Sequence, residues 1–397
     1  MTFDIKRARS QTPGCEHVIH FNNAGASLAP QVVLDEVTKY LEYESIRGGY
    51  EAAAENQDKT NNFYNSISKL INAKPNEIAY VENATRAWDM AFYSIPLKSG
   101  DRILTSMAEY ASNYIAFLQV AKRTGAIIEP VPNDAHGQIS TEALTNMIDE
   151  RVKLIAITHI PTNGGLVNPA AQVGKIAHNA GVLYLLDSCQ AAGQMPLDVN
   201  ELDCDFLTAT GRKYLRGPRG TGFLYVRQKL IEALEPPFLD LFAADWVAPD
   251  RIEIRKDAKR FETWERNVAA MIGLGVASDY AMNWGLENIR DRVWNLADSL
   301  RAKLNEISGI VVRDLGIEKC GIVSFTVDDV EPGNLRELMT PHKININYSS
   351  RISTRLDMDD RNLDDLARAS IHYYNTDEEI DRFCDILESE LINMRSS

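Results

Sequence analysis

Phe206-Leu-Thr-Ala-Thr-Gly-Arg-Lys-Tyr-Leu-Arg-Gly-Pro-Arg-Gly-Thr-Gly-Phe-Leu-Tyr225 is an apolar run, a basic glycine-rich turn and a second apolar run. The two runs have the length and composition of buried strands. Gly211, Gly217, Pro218, Gly220 and Gly222 punctuate the turn. Arg212, Lys213, Arg216 and Arg219 crowd that turn in a chain whose formal net charge is −14. A lysine placed there either binds an anion or, with its pKa lowered by nearby positive charge, attacks a carbonyl as the neutral amine. A solvated basic turn is the plain alternative.

Outward from this stretch the chain alternates. Strand-like runs are expected at 78–81, 102–105, 127–131, 153–159, 182–187, 206–210 and 222–226, with helical patterns at 84–94, 112–124, 140–149 and 169–180. Strand, helix, strand at this spacing predicts an α/β fold with a mostly parallel sheet covered by helices on both faces. Ligands of such sheets sit at the carboxyl ends of the strands. Asp187 ends the most apolar run, where a carboxylate is costly unless it is paired or hydrogen-bonded.

The flanks read differently. Asn22, Asn23 and Gly25 follow a short apolar strand and suit a loop whose backbone approaches a ligand. Pro30 opens an amphipathic helix, residues 50–58 read as a polar loop (a lid or interface segment), and a second amphipathic helix carries Phe63, Ile67, Leu70 and Ile71. The Pro- and aromatic-rich segment 236–249 reads as a loop that packs. A long helix spans about 265–284, its Gly273-Leu-Gly275 serving close helix packing. Beyond 285, helices at 288–307, 333–340 and 376–392 alternate with strands near 310–313 and 322–327. The expected division is a large domain at 25–284 and a small α+β domain formed by 1–24 and 285–397.

Composition excludes several classes. The acidic balance argues against a nucleic-acid partner. No apolar run approaches the roughly 20 residues of a membrane helix, and no secretory signal is read at the N-terminus. Cys15, Cys189, Cys204, Cys320 and Cys384 are scattered, with no metal-ligand spacing, so no metal site is expected. Reduced thiols fit a cytoplasmic protein.

Three features converge: Lys213 after one strand, Asp187 at the end of another, and a polar helix start at Asn83-Ala-Thr85. Pyridoxal phosphate asks for a lysine to form a Schiff base, a carboxylate to keep the pyridine nitrogen protonated, and a helix N-terminus for its phosphate. The spacing Asp187-x-x-Gln190 followed by Thr210-Gly-Arg-Lys213 resembles the class V aminotransferases, the group that includes cysteine desulfurases. The resemblance extends from the Asn22-Asn-Ala-Gly25 turn to Arg368-Ala-Ser-Ile-His-Tyr-Tyr-Asn-Thr376 and implies the aspartate-aminotransferase-like fold (fold type I) and a homodimer.

Carried over residue by residue, the resemblance implies a role for each match. Lys213 is the Schiff-base lysine and later the acid/base at Cα, and Asp187 is the pyridinium partner. Gln190 bonds the phenolic oxygen of the ring. Ala84, Thr85, Thr210 and Arg212 hold the phosphate, and Tyr110 of Glu109-Tyr-Ala-Ser-Asn113 stacks on the ring. Either Thr162 or Asn163 of Thr162-Asn-Gly-Gly165 contacts the ring; Asn163 is the residue chosen here. Arg368 grips the substrate carboxylate, Asn23 and Gly25 border the substrate, and Arg351 and Arg355 shape the pocket for an anionic or bulky substrate.

Departures from the pattern matter as much. Ile344-Asn-Ile-Asn-Tyr-Ser-Ser-Arg-Ile-Ser-Thr-Arg355 has no cysteine where the desulfurases carry the one that accepts sulfur. Cys189 is expected to pack beneath the ring. Phe261-Glu-Thr-Trp-Glu-Arg-Asn267 replaces the segment that meets the partner subunit's cofactor phosphate, with Trp264 expected near the dimer interface. This combination is most similar to the family's C–S lyase members. The expected reaction is β-elimination on cysteine, cystine or a cysteine S-conjugate or sulfoxide, giving pyruvate and ammonia. Transamination and epimerisation are the alternatives on the same cofactor. A cofactor-binding protein without turnover is the alternative of another class.

Overall fold

The seven runs expected between residues 78 and 226 all become strands of one sheet. The computed structural model of the chain describes residues 3–396; residues 1, 2 and 397, part of the expected small domain, lie outside it. After a short strand β1 (Ile19–His20), the sheet takes β2 (Ile78–Val81), β3 (Arg102–Ser106), β4 (Ile127–Val131), β5 (Val152–Thr158), β6 (Leu183–Asp187), β7 (Phe206–Thr210) and β8 (Gly222–Val226). The strand order is β2-β8-β7-β6-β5-β3-β4, and only β8 runs against the rest.

Side-chain alternation explains why these runs are apolar throughout. Leu154, Ala156, Leu185 and Phe206 enter one core, while Ile155, Ile157, Leu186 and Leu207 enter the other. Successive residues of a strand face opposite sides, so a sheet buried on both faces needs apolar residues at every position. Helix Ala84–Phe92 lies on the first face, and helix Ala170–Ala180 lies on the second. Gly222 lets the first of these come close: a Cβ there would lie 2.6 Å from the Ala209 carbonyl oxygen and 3.0 Å from the Asn83 carbonyl carbon.

Helix Val268–Trp284 is buried on nearly all sides between helices Gln31–Arg47 and Gln57–Leu70. A Cβ at Gly273 would meet Val37 Cγ2 at 2.5 Å, so its glycines serve the close packing expected of them. Two loop expectations fail. Residues 50–58 are helical except for Asn56, falling in Gly49–Glu55 and Gln57–Leu70. Their polar residues form a solvent face, while Ala52 is buried; alanine and glutamate favour helix even where the composition looks loop-like. Segment 236–249 contains β9 (Ala244–Ala248), which pairs in a hairpin with β10 (Arg251–Ile254). It packs in part: Ala243 and Ala244 are buried and Phe238 and Phe242 lie under Arg86 and Arg266, while Leu241 and Trp246 are 69% and 78% exposed.

A second sheet, antiparallel, is formed by β11 (Ile310–Val312), β12 (Ile322–Val327), β14 (Asn347–Ser349) and β15 (Leu366–Ser370), in the order β11-β12-β15-β14. Strand β13 (Ile344–Asn345) instead pairs with β1. Helices Leu286–Glu306 and Asp377–Ser396 cover this sheet, with Leu296, Leu300, Leu304, Phe383 and Leu387 against Val323, Phe325, Ala367 and Ala369. The sequence reading omitted β13, β14 and β15, which are short or rich in small and polar residues. The Asn22–Gly25 turn is pinned to the end of β15: Ser370 N–H donates to the Phe21 carbonyl at 2.7 Å, and Ala24 N–H donates to Ser370 Oγ at 2.9 Å.

Candidate active site

In the large sheet, chain order reverses between β3 and β5, and the carboxyl ends of β3, β5, β6 and β7 open on one cavity of about 540 Å³. A second cavity of about 420 Å³ adjoins it, and Tyr110, Thr162, Arg212 and Lys213 line both.

Asp187 ends β6 and is buried. Its Oδ1 accepts from the Cys189 N–H at 2.9 Å and its Oδ2 from Asn113 Nδ2 at 3.0 Å. The same Asn113 amide donates to Glu109 Oε1 at 2.8 Å, bridging two buried carboxylates. Glu109 also accepts from Thr158 Oγ1 at 2.7 Å and from the Thr158 N–H at 3.0 Å. Burial pushes its carboxyl up to about 7, against the pull of those donors, with Asp187 adding to the rise.

Lys213 lies just beyond β7. Burial draws its ammonium below the ordinary lysine range, and Arg212 and Arg368 add to that; nearby Cys189 and Asp187 act the other way. The four cations of the turn divide their work. Arg212 and Lys213 face both cavities, and Arg219 stands at the rim of the larger. Arg216 turns inward, fully buried. Its Nε donates to the Leu28 carbonyl at 2.8 Å, its Nη2 to Thr12 Oγ1 at 2.6 Å, and its Nη1 to the Tyr373 hydroxyl.

Helix Ala84–Phe92 opens onto the larger cavity. Asn83 caps it, Oδ1 accepting from the Arg86 N–H at 2.9 Å, while Ala84 and Thr85 at the first positions line the cavity. The first backbone N–H groups of a helix have no intrahelical partner, which makes this end an anion cradle. Thr210 Oγ1 donates to the Thr221 carbonyl at 3.2 Å and lies 3.5 Å from Arg212 Nη1. Arg368, on β15, is buried. Its Nη1 donates to Thr162 Oγ1 at 2.7 Å and to the Thr162 carbonyl at 2.9 Å, and among the described residues its Nε has no partner.

Thus Ala84, Thr85, Tyr110, Asp187, Gln190, Thr210, Arg212 and Lys213 share the larger cavity, and Gly25 and Arg368 border the smaller. Four expected site residues stand elsewhere. Asn23 is buried in the N-terminal turn, its amide donating to the Ser370 carbonyl at 2.7 Å and its Oδ1 accepting from the Tyr374 hydroxyl. Asn163 turns away, Nδ2 donating to Asp357 Oδ2 at 2.7 Å, and Thr162 is the residue of that loop on the cavity wall. Arg351 is held at the surface by Asp359 at 2.6 Å and Asp364 at 3.3 Å. Arg355 is 3.3 Å from Asp359 and also exposed. Acidic neighbours on the same surface satisfy both arginines, so neither shapes the pocket. Glu109, Asn113, Thr158 and Arg336 were not singled out. Glu109 and Asn113 sit four apart, the spacing at which side chains meet on a helical turn, and that signal was available. Nothing in the sequence around Arg336 marks it.

Comparison with known proteins agrees with this geometry. The family model for aminotransferase class-V matches residues 19–383. A probable cysteine desulfurase of Synechocystis sp. is 32% identical over 390 residues, spanning 94% of this chain and 91% of that protein. The apo structure of the cysteine desulfurase from Thermococcus onnurineus NA1 superposes with a TM-score of 0.91 at 26% identity, covering 99% of each chain. The cystine C–S lyase C-DES, solved with its product cysteine persulfide, has a TM-score of 0.86 at 24% identity over 95% of this chain and 99% of that one, a likeness of fold. The chain belongs to the class V aminotransferase family, pyridoxal-phosphate-dependent enzymes of fold type I.

The residues present fit that cofactor. Among the described residues the Lys213 amine makes no hydrogen bond or ion pair, and Gln190 Oε1 and Arg368 Nε are buried without partners. A carboxylate fixed by two donors, an open helix N-terminus and an uncommitted lysine surround one space of suitable size. Among the described residues no helix is long and apolar enough to cross a membrane.

Proposed function

We propose that the chain is a C–S lyase that removes the β-sulfur substituent of a cysteine-derived amino acid, such as cysteine, cystine or a cysteine S-conjugate or sulfoxide. The balanced reaction is RS–CH2–CH(NH3+)–COO− plus water giving RSH, pyruvate and ammonium, with no net oxidation; a sulfoxide releases RSOH in place of RSH. Pyridoxal phosphate, when bound, supplies the electron sink for the Cα carbanion. Arg368, buried and with a free Nε, is suited to hold the α-carboxylate. Lys213, with its lowered pKa, is suited to take the Cα proton as a neutral amine. Asp187 offers a fixed carboxylate to the ring nitrogen, and Gln190 keeps an amide N–H beyond the one donated to the Ala24 carbonyl at 3.2 Å. Ala84, Thr85, Thr210 and Arg212 gather on the phosphate side.

One observation carries the choice of elimination over transfer of sulfur to an enzyme thiol. The segment lining the substrate-side cavity presents Ser349, Ser350 and Ser353, and among the described residues the one cysteine on either cavity is Cys189. Burial drives that thiol far above the ordinary range, so it is a poor acceptor. The test is product analysis after incubating the holoenzyme with L-cysteine, L-cystine and a cysteine S-oxide conjugate. Pyruvate with equimolar ammonia is expected. Alanine with released sulfur would mean desulfuration, and neither product would move the reading to transamination or epimerisation. Lys213→Ala is expected to lose about 10³-fold or more in kcat and to change the cofactor's absorption spectrum.

The working unit in this reading is a homodimer. A groove of about 830 Å³ lined by Leu41, Tyr50, Phe242 and Trp264 also reaches Glu82, which lines the cofactor cavity. Partner residues seated in that groove would close the phosphate side. We keep the division into a large domain, 25–284, and a small domain, 1–24 with 285–397, as part of the same proposal. The cytoplasm is its proposed setting, since all five cysteines are free thiols.

A further inference from the structure

The substrate-side cavity has a charge pattern that holding the cofactor and an α-carboxylate does not use up. Its wall carries Arg212, Lys213, Arg336 and Arg368 and, among the described residues, no aspartate or glutamate. Three of these have work in the scheme above: Lys213 at Cα, Arg368 at the α-carboxylate and Arg212 towards the phosphate. Arg336 does not. It projects from helix Pro332–Met339 and is exposed, and among the described residues its guanidinium makes no hydrogen bond or ion pair; its Cζ lies 5.8 Å from the centre of the Tyr348 ring. The same cavity is also lined by the hydroxyl-bearing Ser349, Ser350 and Ser353. Ser349 is buried and its Oγ has no partner, while Ser350 Oγ and Ser353 Oγ lie 3.0 Å apart. Cations and hydroxyl donors without a compensating carboxylate form a receptor for a negative group.

We propose that Arg336, with the Ser349–Ser353 hydroxyls, recognises a second negative charge on the substrate's side chain, so that the preferred substrate is a cysteine conjugate bearing a carboxylate or a sulfur oxyanion beyond the β-sulfur. This rests on the C–S lyase reading and narrows it. The sequence had pointed to Arg351 and Arg355 as shaping the pocket for an anionic or bulky substrate, but both are occupied by surface aspartates. Arg336, from a different element, is the arginine that reaches the cavity unpaired. Arg336 is exposed, so charge selects here because its guanidinium attracts an anion that an uncharged group of the same size cannot replace, and because the buried Ser349 hydroxyl gains a charged acceptor.

The test compares S-carboxymethyl-L-cysteine with its near-isostere S-carboxamidomethyl-L-cysteine on the holoenzyme. Wild type is expected to favour the charged conjugate by about tenfold or more in kcat/KM, as hydrogen bonds to charged groups allow. In Arg336→Gln that ratio should fall towards one, chiefly through KM, and Arg336→Lys should restore part of it. A wild-type ratio of one or below overturns the inference. So does an Arg336→Gln variant that lowers both conjugates equally. S-sulfo-L-cysteine in parallel separates the two kinds of anion, since a preference for it over the carboxymethyl compound assigns the site to sulfur oxyanions. L-cystine run alongside tests the lyase reading by itself; if neither conjugate is cleaved, calorimetric binding to the holoenzyme decides the anion site. Tighter binding of the charged conjugate, lost in Arg336→Gln, supports it; equal affinity for the two sinks it.

Discussion

At the scale of single residues, the Glu109–Asn113–Asp187 chain sets the electrostatics beneath the proposed ring position. Among the described residues Glu109 has no cation partner, and burial outweighs its donors, so its carboxyl rises to about 7. A raised carboxyl means that the folded chain holds a proton the unfolded chain has already lost. Its contribution is therefore fully present below about pH 4.5 and is lost as pH rises through about 7. Thermal melts from pH 4.5 to 7.5 should show Glu109→Gln with a flatter pH dependence than wild type. The variant should also be less stable in absolute terms, because an amide NH2 would face the Thr158 donors. Arg368 gives a second residue-scale expectation. Burial lowers its guanidinium to about 10, still charged at neutral pH, so Arg368→Ala should raise KM by about tenfold or more in steady-state kinetics. Cys189→Ala should keep the bulk of turnover; abolished activity would revive sulfur transfer through this thiol.

Elements bring these residues together, and the start of helix Ala84–Phe92 shows how. Its cap is a local device, Asn83 bonding the Arg86 N–H. Its position over the sheet is not local: it depends on Gly222 of β8, where any Cβ would press on Ala209 and Asn83. Asn83→Ala is expected to cost about 1 kcal/mol, the usual value of an N-cap. Gly222→Ala should leave the helix formed but displace its first turn. Equilibrium dialysis of the apoprotein should then find weaker pyridoxal phosphate binding, with the far-ultraviolet circular dichroism unchanged. Unaltered affinity in Gly222→Ala would mean that the helix start does not hold the phosphate.

For the whole molecule, Arg216 is the tie. It joins Thr12, Leu28 and Tyr373 to the turn that carries Lys213, spanning 157 to 204 residues of sequence, and its guanidinium lies near the Tyr374 ring at 4.7 Å. Replacing it with methionine would leave the Leu28 carbonyl and the Thr12 hydroxyl without their partner in the interior. A loss of about 3 kcal/mol or more is expected in denaturant unfolding. The exposed apolar side chains point outward from the same scale: Ile46, Tyr50, Leu241 and Trp246 are each at least 69% exposed. Light scattering should give a mass twice the chain's 44.4 kDa, and Trp246→Glu should shift it towards the monomer; a wild-type monomer would refute the dimer.

The sequence by itself determined the large sheet, because strands buried on both faces must be apolar at every position and the helices between them alternate regularly. It also pointed to Lys213, Asp187 and the Ala84–Thr85 helix start, which line one cavity, since each stands at a strand end or helix start where local pattern and chemistry coincide. Only the tertiary structure decided which arginines serve the cavity. Arg216, in the same basic turn as Lys213, goes to the core; Arg351 and Arg355, near Arg368 in sequence, are taken by Asp359 and Asp364; Arg336, unmarked in its helix, stays free at the cavity wall. An arginine's type and its neighbours along the chain do not fix its partner. That depends on which carboxylates and carbonyls folding brings within reach of a long side chain, and strands as short or as polar as β13, β14 and β15 carry no period that would announce where they bring them.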